Sequence, residues 1–166
     1  MPEKKTLERA QQDKREGKAA STQAGEFVRE EMEHIRKGKH GARSTKQAIA
    51  IGLSKARRAG VKLAPPKKGK VSEKTRRSAV LAEKAGQRKA KRVSPTRSRA
   101  ISGVLKREGR AAASKPALAK QARSAARHRT AAERSAAAKK AVRTKGPAER
   151  SAAARKAAHT RTRRRA

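Results

Sequence analysis

Large apolar side chains recur at helical spacing in one region of the chain, between about residues 22 and 60. In "STQAGEFVREEMEHIRKG", Ala24, Val28, Met32 and Ile35 follow i, i+4, i+8 and i+11, a single stripe with Phe27 at its edge. Ser21 or Thr22 can cap its start, Glu26, Glu30, Glu31 and Glu33 fall towards that start, and Gly38 ends the run. In "STKQAIAIGLSKARRAG", Ile49, Leu53 and Ala56 form a second stripe, broadened by Gly52 and Ala59. Ser44 can accept from the amide of Gln47 while the Gln47 side chain returns to the amide of Ser44, a capping box. Gly60 suits the left-handed position after the helix, with Val61 beyond it. The pattern predicts an αα-hairpin, Thr22–Lys37 and Thr45–Ala59, with a core of Val28, Met32, Ile35, Ile49, Leu53 and Ala56. Antiparallel pairing sets the acidic start of the first helix beside Lys55, Arg57 and Arg58 at the end of the second.

Elsewhere the pattern thins. "TLERAQQDKREG" predicts a short helix ending at Gly17, with Leu7 its one large apolar group. Pro65 and Pro66 in "LAPPKKGK" stop any helix and mark a linker over 65–70. The predicted organisation is therefore a helical segment 1–64 with the hairpin at about 22–60, the linker, and a basic tail over 71–166. Ser72 can cap "EKTRRSAVLAEKAGQRKAKR", in which Val80 and Leu81 are the large apolar residues. "SPTRSRAISGVLKREG" has Ser94 at an N-cap and Pro95 at N1, with Ile101, Val104 and Leu105 on one face. "AERSAAAKKA" (Ala132–Ala141) recurs as "AERSAAARKA" (Ala148–Ala157), and neither copy has an apolar stripe with which to stack on a neighbour. Low-complexity drift and a selected DNA-covering unit are both open readings of the repeat.

Composition sharpens the fold class. The 166 residues carry 49 Lys plus Arg against 13 Asp plus Glu, a formal net charge of +36. Only 20 residues are Val, Ile, Leu, Met or Phe, and the rest of the apolar content is alanine, which buries little area per residue. Such a chain is expected to be all-α but mostly disordered or extended: a small N-terminal αα-hairpin followed by a loosely helical tail without a core. A hairpin of about 40 residues is below the size at which a lone core usually holds, so it is expected to form a homodimer or to order on binding.

The charge also points to the partner, a polyanion. Residues 1–64 hold 16 basic and 8 acidic side chains, whereas residues 65–166 hold 33 and 5. The expected function is non-specific, electrostatic DNA binding with compaction of the nucleoid. Phosphate contacts are expected from Lys67, Lys68, Lys70, Arg76, Arg77, Arg88, Lys89, Lys91, Arg92, Arg97 and Arg99. The two repeats and the end of the chain add Arg134, Lys139, Lys140, Arg150, Arg155, Lys156, Arg161, Arg163, Arg164 and Arg165. Single-strand binders stack bases on aromatic platforms, and Phe27 is the only Phe, Tyr or Trp here, so duplex DNA is favoured and structured or ribosomal RNA is the alternative. A second alternative is a sequence-specific regulator with a helix-turn-helix at 44–60. Ala48, Gly52 and Leu53 fit that motif, but its seating position falls on Arg58, so one uninterrupted helix explains the caps better.

Chemistry finds little support. The absence of Cys excludes thiol nucleophiles and disulfides. Glu31 and His34 have the Glu-x-x-His spacing of di-iron carboxylate sites, but no second copy exists, and helix-surface polarity is the better account. His34, His40, His128 and His159 otherwise stand in basic surroundings, which oppose cation binding. No catalytic, cofactor or metal site is expected, and no enzyme activity. No apolar run approaches the roughly 20 residues that span a bilayer, so no membrane partner is expected and the location is read as cytoplasmic and nucleoid-associated.

Two resemblances add to this reading. Residues 1 to about 70, with "STQAGEFVREE", "EHIRKGKHGARSTKQAIAIGLSKARRAGVKL" and "PPKKGK", resemble a family of small basic bacterial proteins whose domain is uncharacterised, which implies no activity. Residues 70–166 are similar in style to the Lys/Ala/Pro-rich tails of linker histones and bacterial histone-H1-like proteins, which implies chromatin or nucleoid condensation. The tail departs from that style in being richer in arginine and poorer in proline. "SPTR" (Ser94–Arg97) looks like the basic Ser-Pro turn of linker-histone tails, although a Ser-Pro helix start accounts for it more simply.

Overall fold

The computed structural model describes residues 2–88, 94–144 and 146–163. Its helices are α1 (Lys4–Arg15), α2 (Ala20–Arg36), α3 (Thr45–Arg58), α4 (Glu73–Gly86), α5 (Pro95–Arg107), α6 (Lys115–Arg127), α7 (Ala131–Thr144) and α8 (Pro147–Arg163), with a 3-10 turn at Ala111–Ala113. They fall into two units, residues 1–121 and 122–166.

Helices α2 and α3 occupy the two striped segments. Helix α2 begins at Ala20, earlier than Ser21 or Thr22 would cap it, and no side chain caps its start. Ser44 caps α3 by accepting from the Gln47 amide at 3.2 Å. The Gln47 side chain, however, accepts from the amide of Arg43 at 2.8 Å, so the box closes one residue earlier than expected. Gly60 takes φ +89, and the amides of Gly60 and Val61 return to the carbonyls of Arg57 and Ala56, a Schellman end that buries Val61. Helix α3 runs unbroken through Gly52, so residues 44–60 contain no turn of a helix-turn-helix.

Two clusters fill the first unit. One joins Ala10 of α1, Ala24 and Phe27 of α2, Ala56 of α3 and Val61, with Leu7, Ala20, Leu53 and Leu63 packed against it. The other joins Met32, Ile35, Ala42, Ala48, Ala112 and Ala113, with Val28, Ile49 and Leu118 against it. The start of α3 thus meets the end of α2, the antiparallel arrangement. Of the expected core, Met32, Ile35 and Ala56 are buried, and Val28, Ile49 and Leu53 are half-buried. Phe27, expected at the stripe's edge, is fully buried.

The expectation of a mostly disordered or extended chain is overturned by these helices. Its error lay in counting large apolar residues. Among the described residues, nine of the thirteen buried apolar side chains are alanine, so helices pack through small contacts and close backbones. The residues of the 3-10 turn, which no periodicity announces, seal the hairpin. Thr45 Oγ1 donates to the Ala112 carbonyl at 2.7 Å, and Arg36 Nε donates to the Ala113 carbonyl at 2.9 Å. The amides of Gly41 and Ala42 donate to the carbonyls of Leu105 and Gly109. Helix α4 buries Ala79 and Ala82, while Val80 is half-buried and Leu81 exposed.

The second unit is built differently. None of its described side chains is buried. Helix α7 starts with a capping box in which Glu133 N donates to Thr130 Oγ1 at 3.1 Å and Thr130 N to Glu133 Oε2 at 2.9 Å. Helix α8 starts at Pro147, where a missing N–H costs nothing. Alanine-rich composition supplies the rest of the helical preference.

Candidate nucleic-acid interface

Most carboxylates on α1 and α2 have a cation beside them. Glu31 is fully buried with Lys55 Nζ at 2.6 Å, and Glu30, also buried, has the same ammonium at 3.5 Å and accepts from the Glu3 amide at 3.0 Å. Glu3 binds Lys39 at 2.8 Å and His34 at 2.7 Å through one oxygen. Those two hydrogen bonds, with the Lys39 charge, hold its carboxyl down from 4.5 to about 2. Lys18 bridges Asp13 and Glu16, which raise its ammonium above the usual range, and Arg9 pairs with Glu26 at 3.5 Å. Lys55 therefore pairs across the hairpin, but with Glu30 and Glu31 in the second half of α2 and not with its start, whose first turn has no carboxylate. Arg57 does not: it is buried and donates to the carbonyls of Leu63 and Ala64 at 3.1 and 3.3 Å. Burial lowers its guanidinium below the ordinary value, with Glu83 opposing.

Most of the expected contact residues are exposed. Lys67, Lys68 and Lys70 are exposed in the segment between α3 and α4. Arg77 and Arg88 are exposed and Arg76 is half-buried; Arg76 and Arg77 share Glu73 at 3.2 and 3.7 Å. Arg97 and Arg99 are exposed on α5. In the second unit Arg134, Lys139, Lys140, Arg150, Arg155, Lys156, Arg161 and Arg163 are all exposed. Lys89, Lys91, Arg92, Arg164 and Arg165 lie outside the described residues.

Sequence reasoning left out equivalent side chains on α5 to α7 and in the turn between α6 and α7. Lys106, Arg107, Lys115, Lys120, Arg123, Arg127, Arg129 and Arg143 are exposed as well. A signal for α6 was present in Ser114, whose hydroxyl accepts from the Ala117 amide at 3.3 Å, followed by Pro116 in the first turn.

The geometry suits a regular array of anions. Residues 122–166 hold 15 Lys and Arg against two Glu. Helix α8, with 17 residues, is about 25 Å long. Its basic side chains are spread round the axis, as in a helix that meets only polar surroundings. A duplex of that length would offer about one phosphate charge per 1.7 Å, denser than the helix's own charges, so the cations on whichever face met it could reach phosphates without a fixed register. No helix among the described residues is long and apolar enough to cross a membrane.

Residues 11–68 match a family of unknown function, DUF6496. The match covers the end of α1, the α2–α3 hairpin and the segment after it. No curated protein and no solved structure matches the chain.

Proposed function

We propose that this protein binds duplex DNA without sequence preference through the phosphate backbone, and compacts it in the manner of histone-H1-like nucleoid proteins. The observation that carries this reading is the sorting of charge. Most carboxylates on α1 and α2 are paired with neighbouring cations, while the described Lys and Arg side chains of α5 to α8 face solvent. Each cation seated on a phosphate releases condensed counterion, an entropic gain that needs no base contact. Several basic helices on one chain bridge neighbouring duplexes by raising the effective concentration of each for the next site. The α2–α3 hairpin contributes a folded base rather than a reading head, since α3 lacks a turn before a recognition helix.

The test compares the full chain with residues 1–121 for binding to random-sequence duplex DNA, with structured RNA as competitor. The reading predicts that removing 122–166 makes the slope of log affinity against log salt shallower by about 5 or more, because each lost phosphate contact removes about 0.9. Equal slopes would show that the second unit does not touch DNA. Preferential capture by the RNA would move the same interface to an RNA partner.

A further inference from the structure

The structure assigns a divalent-cation site to Glu31, His34 and His40, beside the hairpin loop. Glu31 and His34 stand three residues apart on one face of α2. The chain then leaves α2 through Gly38, whose φ of +74 reverses it and returns His40 to the same face. One donor atom from each of the three side chains lies within 4.8 Å of the others, and Glu31 is fully buried.

Hydrogen bonding fixes which atoms are available. His40 Nδ1 lies 3.0 Å from the Gly41 carbonyl, which can only accept, so Nδ1 carries the hydrogen. In the neutral ring this leaves Nε2 with a bare lone pair, facing Glu31 Oε1 at 3.3 Å. Two acceptors thus face one another against a buried carboxylate whose oxygens have no aligned hydrogen bond. His34 repeats the arrangement, because its Nε2 meets Glu3 Oε1 at 2.7 Å and its other nitrogen is left bare. A second-sphere carbonyl or carboxylate on the far nitrogen is how metal-binding histidines are commonly held.

Distances and charge agree with a cation at this point. Tetrahedral zinc, with bonds of about 2.0–2.1 Å, sets its donors about 3.3 Å apart, the separation already present between His40 Nε2 and Glu31 Oε1. Glu31 Oε2 keeps Lys55 at 2.6 Å, so Oε1 is the oxygen free to ligate. In their direct contacts His34 meets the Glu3 carboxylate and His40 the Glu31 carboxylate, with Lys39 and Lys55 the cations on those two groups. Two imidazoles and a carboxylate suit zinc among the common divalent ions and leave a fourth position for water. A cation there ties the loop to α2, independently of any nucleic-acid binding.

The experiment titrates Zn2+ into chelator-stripped full-length protein, without nucleic acid, by calorimetry and by NMR of the imidazole resonances. The expected result is one Zn2+ per chain with a Kd of about 1 μM or below, a melting temperature that rises with zinc, and shifts confined to His34 and His40. His40→Ala weakens binding at least about tenfold, while His128→Ala with His159→Ala leaves it unchanged. No uptake, or shifts at His128 and His159 alone, overturns the site. The NMR reading on the unmodified chain decides the matter if His40→Ala fails to fold.

Discussion

At Gly52 a Cβ would stand 2.7 Å from the Cα of Val28, so α2 and α3 approach there by backbone contact. Gly52→Ala is therefore expected to push the hairpin apart and to cost about 1–3 kcal/mol, the usual penalty of overpacking, despite alanine's better helix propensity. Urea unfolding of the variant measures this, and a gain in stability would contradict the contact. Glu3 gives a second test at this scale. Its folded value, about 2, lies below its ordinary 4.5, so its ion pairs stabilise the fold fully above about pH 4.5 and less as pH falls towards 2. Glu3→Gln should lower stability at pH 6 and make progressively less difference at pH 4 and pH 3. A difference that stays constant over that range would contradict the assignment. Residue-level chemistry was only partly visible in the sequence. The carboxylate stripe of α2 was plain, but the burial of Glu31 and the return of His40 depend on the Gly38 turn and on Lys55 from α3, which spacing along one helix does not reveal.

Elements were legible where periodicity or a cap announced them. The α2–α3 pair, the Gly60 ending and the Ser44 cap follow from local chemistry that operates within one or two turns. The docking of residues 105–118 on that pair does not, because apart from Leu118 its contacts there are backbone carbonyls and alanine methyls, which have no hydrophobic signature. Helix α4 was misleading for the same reason: Ala79 and Ala82 face inward in place of Leu81. A chain cut after residue 64 loses Ala112, Ala113 and Leu118 from the second cluster, together with the acceptors of Thr45, Arg36, Gly41 and Ala42. It should be less stable than residues 1–121 by on the order of 4–6 kcal/mol, counting about 1 kcal/mol for each of the four hydrogen bonds and the rest for apolar area. Thermal unfolding of the two fragments by circular dichroism tests this, and equal melting temperatures would remove the docked segment from the core.

Over the whole chain, the formal charge of +36 coexists with folded helices through two different solutions. In residues 1–121 most carboxylates on α1 and α2 are spent on neighbouring cations, and small residues let the backbones close. In residues 122–166 side chains remain solvated, and helices form on alanine propensity and caps alone. Charge and composition were enough to anticipate that these Lys and Arg side chains are exposed, because in such helices they need no tertiary partner. They misjudged the fold because composition counts side-chain size and not how closely small residues let helices approach. The most direct test of the central claim is the salt dependence of full-length binding to two unrelated duplexes between roughly 50 and 200 mM salt. The account predicts a slope of about −5 or steeper, from six or more phosphate contacts, and nearly the same affinity for both sequences. A shallow slope, or a strong preference for one duplex, would contradict it.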